Sequence, residues 1–278
     1  MEPVAVYVHI PFCPSKCGYC DFNSYAMQGE IVERTARAIV AEIGRSLHRG
    51  RPAKTLYFGG GTPTYLEPAL FEKIFKMVQE THPLTSSCEI TVEANPGTVD
   101  AVRYRFLREL GVNRLSIGAQ SFDDEELRAL GRVHSSLEIF RAYESARSVG
   151  FDNVNIDLMF GLPMQSLEKW ERNLETALSL QPDHLSLYNL TIEPNTQFYK
   201  RWKRGILLFP DEDLQRDMFD LARVRTRQAG YRAYEISNYA RPGKECRHNL
   251  CYWYGEEYVA YGPGAVERVG LVRRTHIK

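Results

Sequence analysis

The chain reads as an α/β protein built on a parallel sheet, and three observations point there. Short runs rich in β-branched and aromatic residues alternate with longer helical patterns, six such units follow one another, and glycines close several of the helical stretches. Alternation of this kind marks repeated strand–helix units whose strands lie parallel, with helices packed outside them. The first strand covers Val4–Ile10 and is followed by a helix over Glu30–Arg49. Thr55–Phe58 then precedes a helix over Ala69–Glu80, Glu89–Glu93 precedes Val99–Leu110, and Arg114–Ile117 precedes Leu137–Val149. Asn153–Asp157 leads into Leu167–Leu180, and His184–Tyr188 into Glu212–Gln228. In the third helix Val99, Val102, Phe106, Leu107 and Leu110 share one stripe near the 3.6 period; Leu167, Trp170, Leu174, Ala177 and Leu178 do so in the fifth. Gly111, Gly150 and Gly230 stand where a left-handed helix cap belongs. A closed eight-unit barrel needs two more units than the chain offers, which leaves an open partial barrel or a doubly wound open sheet. After Tyr231 the pattern changes to short aromatic-rich segments without a clear helix, expected to pack across the barrel's opening.

Bulk properties narrow the function. With 44% apolar residues in 278 the chain can bury a sizeable core. Lys plus Arg equals Asp plus Glu, 35 each, so no net charge draws it to nucleic acid or an anionic membrane. No basic stretch leads into an apolar one at the N-terminus, and no apolar run approaches the roughly 18–20 residues of a membrane span. Three of the six cysteines share one loop and Cys88 lies in a strand-like run, which fits a reducing cytoplasm better than a disulfide framework.

That loop is the most specific feature. Cys13-Pro-Ser-Lys-Cys17-Gly-Tyr-Cys20 directly follows the first strand, and Pro11 and Pro14 keep it out of helix. A C-x3-C-x2-C spacing supplies three thiolates, whereas an iron–sulfur cubane takes four protein ligands when fully held. Three leave one iron open to another ligand. A structural zinc site and chance clustering are the alternatives, and zinc would want a fourth Cys or His at short spacing.

Tyr7-Val-His-Ile-Pro-Phe-Cys13 and Lys16-Cys17-Gly-Tyr-Cys20-Asp-Phe-Asn resemble the radical S-adenosylmethionine (SAM) enzymes of the oxygen-independent coproporphyrinogen III oxidase branch, and within it most of all the heme chaperone (HemW-type) family. The resemblance runs from residue 4 to about residue 265. It implies a partial (β/α)6 barrel over residues 1–230 and a barrel-covering segment over 231–278. It also implies a [4Fe–4S] cluster on Cys13, Cys17 and Cys20 whose free iron chelates the methionine end of SAM, so that an electron entering the cluster cleaves a carbon–sulfur bond. Tyr261-Gly-Pro-Gly-Ala265 follows the family, but Val266 stands where a histidine usually comes and the tail matches nothing. The chain is thus expected to be truncated relative to the family.

Ligands of parallel α/β folds bind at the carboxyl ends of the strands, and the distinctive residues gather there. Gly59-Gly60-Gly61-Thr62 follows the second strand and would let a ligand reach the backbone. Glu93, Gln120 and Asp157 end the next three strands, where they either accept hydrogen bonds from ribose or ammonium or cap the following helix. Arg132 either meets a ligand carboxylate or is an exposed arginine. The resemblance assigns SAM contacts to Tyr7, Tyr19, Gly60, Gly61, Thr62, Glu93, Gln120, Arg132 and Asp157, with Tyr7 and Tyr19 acting through backbone or packing and Thr191 a looser match.

Three departures separate the chain from the oxidase: Phe22 occupies the place of a further cysteine, only Met1-Glu-Pro3 precedes the first strand, and His248-Asn-Leu-Cys-Tyr-Trp253 matches a heme chaperone signature. An imidazole can ligate heme iron and Tyr252 and Trp253 offer flat surface to a porphyrin, though an aromatic packing cluster with a hydrogen-bonded histidine reads the same way. Cys246 and Cys251 are thiolate candidates or core cysteines. The resemblance implies heme, an acceptor hemoprotein, one of which can be membrane-associated, and a small electron-donor protein as partners. A porphyrinogen oxidase is the alternative.

Overall fold

The computed structural model describes residues 1–277. All six expected strands form: β1 (Val4–Ile10), β2 (Ala53–Gly60), β3 (Leu84–Ala94), β4 (Arg114–Gln120), β5 (Val154–Phe160) and β6 (His184–Asn189). Each is hydrogen-bonded in parallel to the next. The short strands β7 (Arg232–Ala233) and β8 (Asn238–Ala240) extend the sheet antiparallel beyond β6. On the other side β9 (Tyr258–Tyr261) runs parallel to β1, followed by the antiparallel pair β10 (Val266–Val269) and β11 (Val272–Thr275). The sheet does not close, because its ends are β11 and β7.

Alternation within these strands decides what faces what. Leu56 and Phe58, Ile90 and Val92, Leu115 and Ile117, Ile156 and Leu158, Leu185 and Leu187 are buried in one apolar core with the helices. Phe58 packs against Phe71 of α2 (Pro68–Thr81), with tilted rings whose centroids are 4.9 Å apart; α1 (Glu30–Gly44) covers the sheet beside it. Burying each such side chain contributes about 1.5–3 kcal/mol. The intervening positions are polar: Thr55, Tyr57, Thr91, Glu93, Arg114, Ser116, Asn155, Asp157, His184 and Ser186. The helices between β1 and β6 therefore cover one face only, the arrangement of a partial barrel and not of a doubly wound sheet.

The first helix stops at Gly44, five residues short of the expected end, because the chain must turn so that Gly50 N can donate to Thr81 O at 2.7 Å on the way into β2. The third, α3 (Ala101–Glu109), begins after its cap Asp100, and its buried residues are Tyr104 and Leu107; Val102 is 68% exposed and faces outward. The short α4 (Asp124–Leu130), started by Asp123, which accepts from Glu125 N and Glu126 N, precedes α5 (Ser136–Ser148). After α6 (Leu167–Ser179), the short α7 (Gln197–Lys203) precedes α8 (Glu212–Gln228). Gly111, Gly150 and Gly230 take the expected positive φ.

The largest correction lies after Tyr231, where no helix was expected. Residues Arg247–Trp253 form α9, which carries the whole H-N-L-C-Y-W segment. Its N-cap Cys246 offers no side-chain bond; instead Glu89 of β3 accepts from Arg247 N at 3.2 Å and His248 N at 3.1 Å. A carboxylate from a distant strand thus satisfies the orphan amides that a local cap would hold. Glu89 pairs in register with Thr55 near the start of β2, so α9 covers the end of the barrel opposite the cysteine loop.

Candidate functional site

Cys13, Cys17, Tyr19, Cys20, Gly60, Gly61, Thr62, Glu93, Gln120, Arg132 and Asp157 line one cavity of about 460 Å3 at the strand ends, with Thr191 at its edge. Tyr7 and His248 do not line it. The cysteine loop is held along its length. Tyr25 N donates to Pro11 O and Cys13 N to Tyr25 O, Gly18 N donates to Leu130 O, and Phe198 N donates to Gly18 O. All three cysteines are partly exposed and unbridged. Among the described residues no three His, Cys, Asp or Glu side chains converge closely enough to grip a single metal ion.

Glu93 accepts from Tyr57 Oη at 2.9 Å and from Gly60 N at 3.2 Å. Burial, then the neighbouring Asp157, nevertheless pushes its carboxyl up to about 7. Asp157 accepts from Asn155 Nδ2 at 2.7 Å and Ser116 Oγ at 3.0 Å, and burial raises it too. A cation brought beside both carboxyls would favour their ionised forms. Arg132 is half-buried, not exposed: Nη2 donates to Gly118 O at 2.7 Å, Nη1 to Cys17 Sγ at 3.6 Å, and Nε has no partner. Gln120 has φ +69°, left-handed backbone that costs a glutamine roughly 1–3 kcal/mol, next to an irregularity in the β4–β5 register.

The glycine run has a packing role besides the expected one. A Cβ on Gly61 would meet Phe12 O at 2.6 Å and Ile10 O at 2.8 Å, and one on Gly60 would enter the His9 ring at 2.4 Å. These glycines make room for β1 and the entry to the cysteine loop, where Gly61 N and Thr62 N donate to Ile10 O and Phe12 O. Both Gly60 and Gly61 also line the cavity.

At the opposite end His248 is buried with both ring nitrogens engaged. Nδ1 is 2.8 Å from Thr55 Oγ1 and Nε2 2.8 Å from Tyr252 Oη. Its ring lies 5.1 Å from Tyr57 and 6.4 Å from Tyr7, whose hydroxyl reaches His9 Nδ1 at 3.0 Å. Burial first, then the Arg114 charge, lowers its pKa to about 3. Cys246 and Cys251 are core thiols that burial pushes up to about 11 and about 12. Tyr252 and Trp253 remain 41% and 55% exposed.

The cavity also takes in Tyr57, Arg114, Ser116, Asn155, Ser186 and Asn249, none of them singled out from sequence. A signal was present. Polar residues at every second position of five successive strands contradict the continuous apolar runs of a sheet buried on both faces.

Residues 7–177 match the radical SAM superfamily. The chain is 43% identical over 284 residues to the heme chaperone HemW of Escherichia coli (strain K12), covering 99% of this chain and 74% of that protein. It is 40% identical over 276 residues to the heme chaperone HemW of Bacillus subtilis (strain 168), covering 98% and 73%. The structure of coproporphyrinogen III oxidase (HemN) from Escherichia coli superposes with a TM-score of 0.85 at 28% identity, over 97% of this chain and 65% of its own. The chain thus spans just under two thirds of the length of that oxidase.

Proposed function

Since the chain belongs to the radical SAM superfamily and, within it, to the HemW heme chaperone family, we propose that it binds heme and passes it to acceptor hemoproteins while holding a [4Fe–4S] cluster on Cys13, Cys17 and Cys20 and SAM along the strand ends. The observation that carries the heme reading is α9. It seats His248 beneath the surface and leaves the neighbouring Tyr252 and Trp253 partly exposed, apolar surface that a porphyrin could meet. Tyr252 and Trp253 would offer a bound heme apolar surface, and His248 would supply Nε2 to its iron once the Tyr252 hydroxyl gave that nitrogen up, with Nδ1 held by Thr55 Oγ1. A second-atom bond of this kind fixes the tautomer of a metal-bound imidazole. With a pKa near 3 the ring keeps its lone pair at any ordinary pH.

When bound, the cluster and SAM supply reductive one-electron chemistry. The chain's own residues position them: Glu93 and Asp157 accept from ammonium and ribose groups, Arg132 Nε is free to donate to a carboxylate, and Tyr19 walls the cavity against Phe198. A small electron-donor protein would serve the cluster. A cytoplasmic setting is in keeping with the lack, among the described residues, of a helix long and apolar enough to cross a membrane.

Porphyrinogen oxidation is the second reading, favoured by the likeness to the oxidase. Phe22, exposed where the oxidase branch has a further cysteine, speaks against it. Heme titration of the anaerobically reconstituted chain tests both. The chaperone reading expects a Soret band that shifts, with weaker binding, in His248→Ala, examined also with Cys246→Ala and Cys251→Ala so that neither thiol substitutes. An unchanged Soret position and affinity in all of these would remove α9 from heme binding. Formation of oxidised porphyrinogen product with SAM and a reductant would favour the oxidase.

A further inference from the structure

Each of the three loop cysteines has one hydrogen-bond donor directed at its sulfur, and each donor comes from a different part of the chain. Thr62 Oγ1, after β2, donates to Cys13 Sγ at 3.5 Å. Arg132 Nη1, after α4, donates to Cys17 Sγ at 3.6 Å. Ser24 Oγ, on the far limb of the loop, lies 3.7 Å from Cys20 Sγ. As a thiolate Cys20 has no proton to give, so Ser24 is the donor in this third contact, a direction that Lys16 supports. Its ammonium donates to Ser24 Oγ at 2.9 Å and cannot accept, so the serine oxygen is the acceptor there and its own proton turns elsewhere. Phe22 O, at 3.5 Å, is beyond the normal O–H···O range, which leaves Cys20 Sγ as the better acceptor.

The donors are fixed independently of the sulfurs. Thr62 is buried with its amide bonded to Phe12 O, Arg132 is anchored on Gly118 O, and Lys16 also holds Phe22 O at 2.7 Å. Three pre-placed donors, one of them cationic, favour sulfur in its thiolate form and favour it more as negative charge on it grows.

We propose that Ser24, Thr62 and Arg132 are positioning residues of the cysteine loop that raise the reduction potential of the cluster its sulfurs carry. The inference rests on the cluster reading above. Adding one electron to the cluster increases the charge on its thiolates, so donors to sulfur stabilise the reduced form more than the oxidised one. Arg132, carrying a full charge, has the largest effect. Ser24 has no other assigned role.

The test is an EPR-monitored redox titration of the anaerobically reconstituted full chain without SAM, poised with dithionite and mediators, with iron content measured on every sample. Thr62→Val and Ser24→Ala should each lower the midpoint. Arg132→Gln should lower the reduced-to-oxidised ratio at fixed potential by about tenfold, equivalent to about 59 mV for one electron. Thr62→Ser and Ser24→Thr should restore the wild-type midpoint, which a purely steric role would not produce. Full iron content with an unmoved midpoint in Thr62→Val and Ser24→Ala overturns the inference, even if Arg132→Gln fails to assemble. A wild-type chain that takes up no iron overturns the cluster reading itself, and this inference with it.

Discussion

Cysteine and histidine side chains occur at both ends of the barrel, but in opposite surroundings. At the strand ends Cys13, Cys17 and Cys20 sit partly exposed on a cavity wall, each facing a donor. At the strand starts Cys246, Cys251 and His248 are enclosed, the thiols raised by burial and the imidazole bonded at both nitrogens. The difference comes from backbone. A proline-bounded loop cannot bury its side chains against itself, whereas a helix capped by Glu89 presses its inner face into the barrel. The two ends thus differ in what covers the side chains more than in the side-chain types.

The sharpest way to break the contrast is to empty each end of cysteine. A Cys13, Cys17 and Cys20→Ala triple variant should lose essentially all iron and sulfide after anaerobic reconstitution, and Cys246→Ala with Cys251→Ala should keep it. Equal iron in both would erase the distinction. Next in size is His248→Ala, which opens a cavity and strands the Thr55 and Tyr252 hydroxyls. It should destabilise the fold by about 3–5 kcal/mol in urea unfolding at neutral pH; a change under about 1 kcal/mol would mean the enclosed histidine is not packed as described.

The two ends should also respond to pH with opposite sign. Glu93 has its pKa raised from 4.5 to about 7, so protonated Glu93 favours the fold. That contribution is whole below 4.5 and lost as pH rises towards 7, on the order of 3 kcal/mol. His248 is lowered from 6.5 to about 3, so its contribution is whole above 6.5 and lost as pH falls. Stability measured across pH 3 to 8 should therefore lose part of its alkaline slope in Glu93→Gln and part of its acid slope in His248→Gln. The same change in both variants would contradict the assignment. The smallest expected effect is on SAM: Asp157→Asn should weaken binding about tenfold, near 1.4 kcal/mol, with iron content intact, and calorimetry showing equal affinity would take Asp157 out of the site. Gly61→Val is a poor probe of the same site, because its side chain would push into Ile10 and Phe12 backbone beside the cysteine loop.

Much of this was legible in the residues. The six strands, the principal helices and the convergence of Cys13, Thr62, Glu93 and Asp157 follow from periodicity and from the rule that parallel strands end on one side. The inward polar residues were legible too, through alternation within each strand, but their meaning needed the strands set side by side. Arg132 was undecidable locally, since nothing in Leu130-Gly-Arg-Val-His134 states that Gly118 O and Cys17 Sγ will receive its guanidinium.

By itself the sequence determined the repeated strand–helix units and the three-cysteine loop, because periods of 2 and 3.6 and a C-x3-C-x2-C spacing involve only near neighbours. Tertiary structure alone decided that residues 247–253 are helical, that His248 lies closed between Thr55 and Tyr252, and that the glycine run makes room for β1. The physical reason is distance along the chain. Thr55 and His248 are 193 positions apart and Glu89 and Arg247 are 158 apart, and a hydrogen bond across such a separation exists only once the sheet has brought its ends together.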